Sequence, residues 1–256
     1  MTRLAGDGSV RALLPPALRI AALAGTAAAT LWRYRLRARV VGASEAEATR
    51  VLQTWSRRAW DWLDLDVRVR GRMPEGPCVY VANHRSYLDI PVLAGAFGTA
   101  FMSRADVAAW PVVGGAAREI GTVFVDREDA TSRIRAAFAL RRRLRHGSVA
   151  VFPEGTTCAT PLPGPFHPGL FLFLHRAGLP VHPITVRYGD RRAYWTNDLS
   201  LRRHLREQVL TGPRISVVAH VGAAIDASSH RSGDDLAHAA WAAIARPIEE
   251  LGELAA

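Results

Sequence analysis

Apolar and polar positions along the chain follow two rhythms that trade places repeatedly. From Leu65 the period is two: Val67 and Val69 alternate with Arg68 and Arg70, and the run Gly71 to Pro77 makes a turn. Val79-Tyr-Val-Ala82 is an apolar strand, followed by an apolar helix over Asp89–Phe97. Ala100–Arg104 reads as a strand, and Ala105–Ile120 as helical but broken over Trp110–Gly115. Thr122–Arg127 is a strand ending in charge, and Asp129–Arg145 a helix carrying Ile134, Phe138 and Leu144 among six arginines. Ser148–Glu154 is a buried-type strand, Phe166–Ala177 an apolar helix, and Val181–Tyr188 a strand. Ile215–Val221 follows as a late strand at an edge, and Asp234–Leu251 as the closing helix.

This alternation predicts an α/β fold: a mostly parallel sheet with helices on both faces. In such sheets ligands sit beyond the carboxyl ends of the strands, and His84, Arg104, Arg127 and Glu154 all fall at such ends. The helix Phe166–Ala177, with Phe171, Leu172, Phe173 and Leu174, reads as core, with the wall of an acyl channel as the alternative.

Ahead of the alternating region, residues 12 to 63 form a helical hairpin. Ile20–Leu31 is apolar but short and alanine-rich for a spanning helix, and Arg33, Arg35, Arg37 and Arg39 follow it at once. Flanking positive charge of this kind argues against export and favours an interfacial or shallowly inserted helix. Ser44 and Glu47 are a capping-box pair opening a second helix, with Val51, Leu52, Trp55, Ala59 and Trp62 on its packing face. The expected division is a membrane-associating region over 1–63 and an α/β domain over 64–256, on the cytoplasmic face of the cell membrane.

Charge and cysteine usage narrow the classes. The net charge is +10, and all 33 basic residues are arginine. A surface of that sign favours phosphates of nucleic acid, anionic lipid or a phosphorylated substrate. No zinc-finger or RNP motif supports nucleic acid. Cys78 and Cys158 stand far apart in no CxxC, and the nine histidines form no ligand cluster, so a disulfide framework and a metal site are not expected.

Candidate chemistry centres on His84. A strand delivers it to its end, and Asp89 follows five residues later. A carboxylate on the Nδ1 side of an imidazole leaves Nε2 free as a base. A helix opening near Ser86 would place the pair about one and a half turns apart and disfavour a charged ring. Alone, such a pair arises often by chance.

In context it does not stand alone. Asn83-His-Arg-Ser-Tyr-Leu-Asp89 and Phe152-Pro-Glu-Gly-Thr-Thr157, in this order and two βα units apart, closely resemble the blocks of the glycerolipid acyltransferase (PlsC-like) family. Phe101–Arg127, with Pro111, Gly114 and Gly121-Thr-Val-Phe-Val-Asp-Arg127, resembles its second block, and Leu179–Thr185 around Pro183 its fourth. The resemblance covers residues 65–222.

It implies transfer of a fatty acyl group from acyl-CoA or acyl-ACP to the hydroxyl of a lysolipid, with no metal or further cofactor. 1-Acylglycerol 3-phosphate is the first expectation for the acceptor. By this match His84 is the general base, Asp89 orients it, and Arg104 and Arg127 hold the acceptor's anionic headgroup. Glu154, Gly155 and Thr156 shape the same site, with Asn83, Ser86 and Thr157 as further substrate-binding residues. An ion pair of Arg127 with Asp126 or Glu128 is the structural alternative. The chain lacks the GxSxG elbow of a serine hydrolase. Relatives acting on lysophosphatidic acid often carry arginine or serine where Thr157 stands, and a basic residue where His167 stands. Both differences remove phosphate contacts, so lyso-ornithine lipid or another lysophospholipid is the alternative acceptor. A non-catalytic, basic lipid- or nucleic-acid-binding protein is the rival of another class.

Overall fold

The computed structural model describes residues 2–3, 13–110, 113–160, 162–196 and 198–253. Two helices lead: α1 (Pro16–Val41), started by a proline at its first position, and α2 (Glu45–Leu63). Ser44 caps α2 by accepting from the Glu47 amide at 3.1 Å, while the Glu47 carboxylate turns to Arg37 of α1 at 2.7 Å. The α/β region follows as β1 (Leu65–Arg70), β2 (Val79–Ala82), α3 (Asp89–Phe97), β3 (Ala100–Arg104), α4 (Val113–Glu119), β4 (Val123–Val125), α5 (Ala130–Arg143) and β5 (Val149–Val151). It closes with α6 (Pro168–Ala177), β6 (Val181–Tyr188), α7 (Leu201–Glu207), β7 (Ile215–Val221) and α8 (Gly233–Glu253).

The strands form one sheet in the order β1-β7-β6-β2-β5-β3-β4, with Thr2–Arg3 added antiparallel to β1. From β6 to β4 all neighbours are parallel, whereas β7 and β1 run the other way. β7 is therefore interior, not the expected edge.

Strand β2 explains why the sheet needs two covers. Tyr80 and Ala82 belong to the core that Trp60, Leu63 and Leu93 of α2 and α3 complete. Val79 and Val81 belong to the opposite core, with Phe171, Leu174, Leu236 and Ile244 of α6 and α8. Every position of the strand is buried, as a strand covered on both faces must be. Each such fully buried aliphatic side chain contributes roughly 1.5–3 kcal/mol. In the Phe166–Ala177 segment Phe171 and Leu174 are fully buried core, Phe173 is partly covered and Leu172 is exposed.

Sequence expectations shift in four places. The buried tryptophan of α2 is Trp60, whose Nε1 donates to the Pro91 carbonyl at 2.9 Å; Trp55 and Trp62 are only partly covered. A Cβ at Gly95 would stand 2.3 Å from that indole, so the glycine lets α2 and α3 approach. The stretch expected as one broken helix is a 3-10 turn, Ala105–Ala109, and then α4, while Pro111 lies outside the described residues. Helix α3 begins at Asp89 and not near Ser86. Arg19, read as an interruption of an apolar run, is buried and donates from Nε to the Trp62 carbonyl at 2.9 Å, tying α1 to α2. Among the described residues no helix is long and apolar enough to cross a membrane.

Candidate active site

Four neighbouring parallel strands, β2, β5, β3 and β4, end on the same side of the sheet. At their carboxyl ends stand His84, Glu154, Arg104 and Arg127; the last three line one cavity, to which the His84 backbone amide is joined through Glu154.

The imidazole is held from several directions. His84 Nδ1 lies 2.8 Å from Asp89 Oδ2, an oxygen that also accepts the Arg85 amide at 2.7 Å and the Ser86 amide at 2.9 Å. The other oxygen, Oδ1, accepts the Tyr188 hydroxyl at 2.6 Å. Asp89 therefore reaches back from the first turn of α3 and closes the loop 84–86 over itself. An acceptor-only carboxylate requires the proton of the neutral ring to sit on Nδ1, which leaves the Nε2 lone pair available. Burial and the Asp89 charge push the Tyr188 phenol well above its ordinary pKa, so it remains a neutral donor. One face of the imidazole stacks on Phe152, with ring centroids 4.0 Å apart and planes inclined by 14°. The His84 side chain retains 17% exposure while Asp89 has none, so the ring sits at the boundary between support and solvent.

Glu154 joins the two motif loops. Its Oε1 accepts the His84 amide at 2.7 Å and its Oε2 accepts the Gly164 amide at 2.8 Å, with the Arg85 guanidinium 3.6 Å away. Burial raises its pKa above the usual carboxylate value, against these bonds and the Arg85 charge. Both oxygens are thus spent on the scaffold, although the residue borders the cavity described next.

That cavity, about 450 Å³, is lined by Arg104, Arg127, Glu154, Gly155, Thr156 and His167, with Asp106, Asp126 and Glu128 among its acidic neighbours. Arg104 is exposed and grips Asp106 with both arms, at 3.1 and 3.0 Å. Arg127 differs. Among the described residues no carboxylate pairs with its guanidinium, so the alternative of an ion pair with Asp126 or Glu128 does not hold. Burial, and then the like charge of Arg104, lower its pKa. Gly155 makes room for it: a Cβ there would stand 1.7 Å from Arg127 Nη1 and 2.9 Å from His167 Nε2.

Several expected binding residues face elsewhere. Asn83 is fully buried, and its amide donates to the Val186 carbonyl at 2.9 Å and accepts the Val186 amide at 2.7 Å, pinning β2 to β6. Ser86 is fully buried, with Oγ accepting the Leu88 amide at 3.3 Å. Thr157 does not line the cavity; its Oγ1 is buried without a partner. Conversely, Phe152 and Tyr188 belong to the site and were not expected there, while His167, weighed as a position where relatives carry a basic residue, lines the cavity. Phe152 lies inside a quoted motif, but nothing near Tyr188 signals contact with Asp89. Among the described residues no three His, Cys, Asp or Glu side chains converge as metal ligands.

Known proteins resemble this chain in sequence and in fold. The Acyltransferase family profile matches residues 65–187. A lyso-ornithine lipid O-acyltransferase of Pseudomonas aeruginosa is 35% identical over 188 residues, covering 71% of this chain and 72% of that one. A 1-acyl-sn-glycerol-3-phosphate acyltransferase of Neisseria gonorrhoeae is 31% identical over 131 residues, covering 50% and 51% respectively. In fold, the chain is similar to the crystal structure of the 1-acyl-sn-glycerophosphate acyltransferase PlsC of Thermotoga maritima. The TM-score is 0.66 at 22% identity, over 96% of this chain and 98% of the other. With the motif loops joined through Glu154 and a relative matched over most of its length, the chain belongs to the glycerolipid acyltransferase family.

Proposed function

We propose that the protein transfers a fatty acyl group from a thioester, on coenzyme A or acyl carrier protein, to the free hydroxyl of lyso-ornithine lipid. The reaction runs by general base. His84 Nε2 takes the hydroxyl proton as the oxygen attacks the thioester carbonyl; the tetrahedral intermediate then collapses, and the departing thiolate recovers the proton from the imidazolium. Asp89, held by Tyr188 and two backbone amides, fixes the ring and offsets its transient charge. The Nδ1–Asp89 contact of 2.8 Å is the observation that carries this chemistry.

The acceptor follows from the charges around the Arg127 cavity. Arg127 is suited to a bidentate grip on a carboxylate. Asp106, Asp126 and Glu128 line the same cavity and suit an ammonium group. Ornithine offers both charges. A phosphate monoester offers only negative charge to a cavity already holding these carboxylates, so 1-acylglycerol 3-phosphate becomes the second reading. The Pseudomonas relative, matched over 72% of its length against 51% for the Neisseria one, points the same way.

Helix α1 supports work at a membrane surface. Trp32, Leu36 and Val40 are exposed at 62%, 53% and 79%, beside Arg33 and Arg39. The test is incubation with a labelled acyl thioester and a panel of lysolipids, with products identified by mass. Product from lyso-ornithine lipid that is lost in His84→Ala supports the proposal, whereas full activity of that variant removes the mechanism. Arg127→Ala should raise the acceptor KM.

A further inference from the structure

A second basic cleft lies away from the Arg127 cavity, where the outer edge of β4 and helix α5 meet the start of α2. It encloses about 390 Å³ and is lined by Arg118, Arg135, Arg142 and Arg143, with Gly121 and Glu45 among its other walls. Arg143 is the built element. It is only 3% exposed, its Nη1 donates to Glu45 Oε2 at 2.8 Å, and Nη2 reaches Thr49 Oγ1. Its Nε–H is buried with no partner. That atom faces Gly121, where an added Cβ would stand 3.2 Å away, so the orphan donor borders the cleft. Arg118 spends one Nη on the Ala108 carbonyl at 2.6 Å, and among the described residues no carboxylate pairs with Arg118, Arg135 or Arg142. Four guanidinium groups thus surround one carboxylate, which Arg143 already engages. A buried N–H without a partner is costly, and an anion acceptor in the cleft would offset that cost.

The neighbouring surface indicates where such an anion resides. On α5, Ile134 and Phe138 lie one turn apart and are exposed at 59% and 70%, among Arg133, Arg141 and Arg142. An apolar ridge flanked by arginines suits the headgroup layer of an anionic bilayer. The cleft also touches the hairpin that carries the exposed apolar side chains of α1, through Arg143 to Glu45 at 2.8 Å and, close by, Arg35 to Glu119 at 2.8 Å.

We propose that this cleft binds the phosphate of an anionic membrane phospholipid, as a site separate from the acceptor cavity. The full-length protein is titrated with phosphatidylcholine vesicles with and without phosphatidylglycerol, and separately with inorganic phosphate against chloride at equal ionic strength. At about fivefold per arginine, Arg135→Ala/Arg142→Ala should weaken binding to the phosphatidylglycerol vesicles roughly 25-fold, with binding to neutral vesicles unchanged. Ala139→Glu, which places a carboxylate in the cleft and keeps every arginine, should weaken the same binding. Arg176→Ala/Arg231→Ala removes equal exposed charge from outside both the cleft and α5 and should cost much less. An equal loss in that control, or wild-type binding in both cleft variants, overturns the site. Thermal stabilisation by inorganic phosphate that the cleft variants lose, while their vesicle binding stays intact, overturns the lipid as its source.

Discussion

Arg127 crosses the backbone of Gly155 so closely that the smallest side chain would stand 1.7 Å from its Nη1. Gly155 also adopts φ +73°, a conformation open to glycine at little cost. The third motif thus contributes space for a cation delivered by the second.

Gly155→Ala should therefore damage acceptor binding through Arg127. We expect the acceptor KM to rise at least about tenfold as the guanidinium is displaced. The left-handed backbone adds a stability loss of about 1–2 kcal/mol. Steady-state kinetics alongside chemical denaturation checks both. An unchanged KM would show that Arg127 does not hold the acceptor.

Tyr188→Phe removes the hydroxyl that bonds Asp89 Oδ1 at 2.6 Å and leaves the ring's packing in place. We expect a stability loss of about 1–3 kcal/mol, because a buried carboxylate oxygen loses its donor. The orientation of His84 should suffer as well, seen as a fall in kcat of about threefold to tenfold with KM little changed.

Glu154 should leave a signature in the pH dependence of folding. Its pKa in the folded chain is raised above 4.5, chiefly by burial. Over the window from 4.5 up to the folded value, the folded chain holds a proton that the unfolded chain has released. The contribution of this group to stability is therefore largest at the acid end and falls as pH rises through the window. Denaturation of wild type and Glu154→Gln across that range should show the slope in the wild type and its loss in the variant. The variant should also be destabilised at neutral pH, because an amide NH₂ cannot accept the Gly164 or His84 N–H.

His167→Arg puts a permanent cation in the cavity that Arg127 also lines. If the mixed charge of the cavity selects an ornithine headgroup, kcat/KM for 1-acylglycerol 3-phosphate should rise relative to lyso-ornithine lipid, by about fivefold for one added charge contact. Competition between the two acceptors in one reaction measures this ratio.

Local pattern alone determined a good deal. The alternation of period sets the α/β class, and strands at Val79–Ala82, Ala100–Arg104 and Val181–Tyr188 are bounded as their apolar runs suggest. His84 and Asp89 are five residues apart, so a single turn joins them whatever the remaining chain does. Tertiary structure decided what lies far apart in sequence. Tyr188 meets Asp89 across 99 residues, and Asn83 is consumed by Val186 across 103. Both contacts exist because β6 lies beside β2, and strand order is fixed by the packing of whole elements and not by any local preference. Glu154 shows the division within one residue. Its motif and strand-end position are legible, yet its oxygens are directed by the placement of β5 next to β2, which turns an expected binding group into the support of the loop that carries His84.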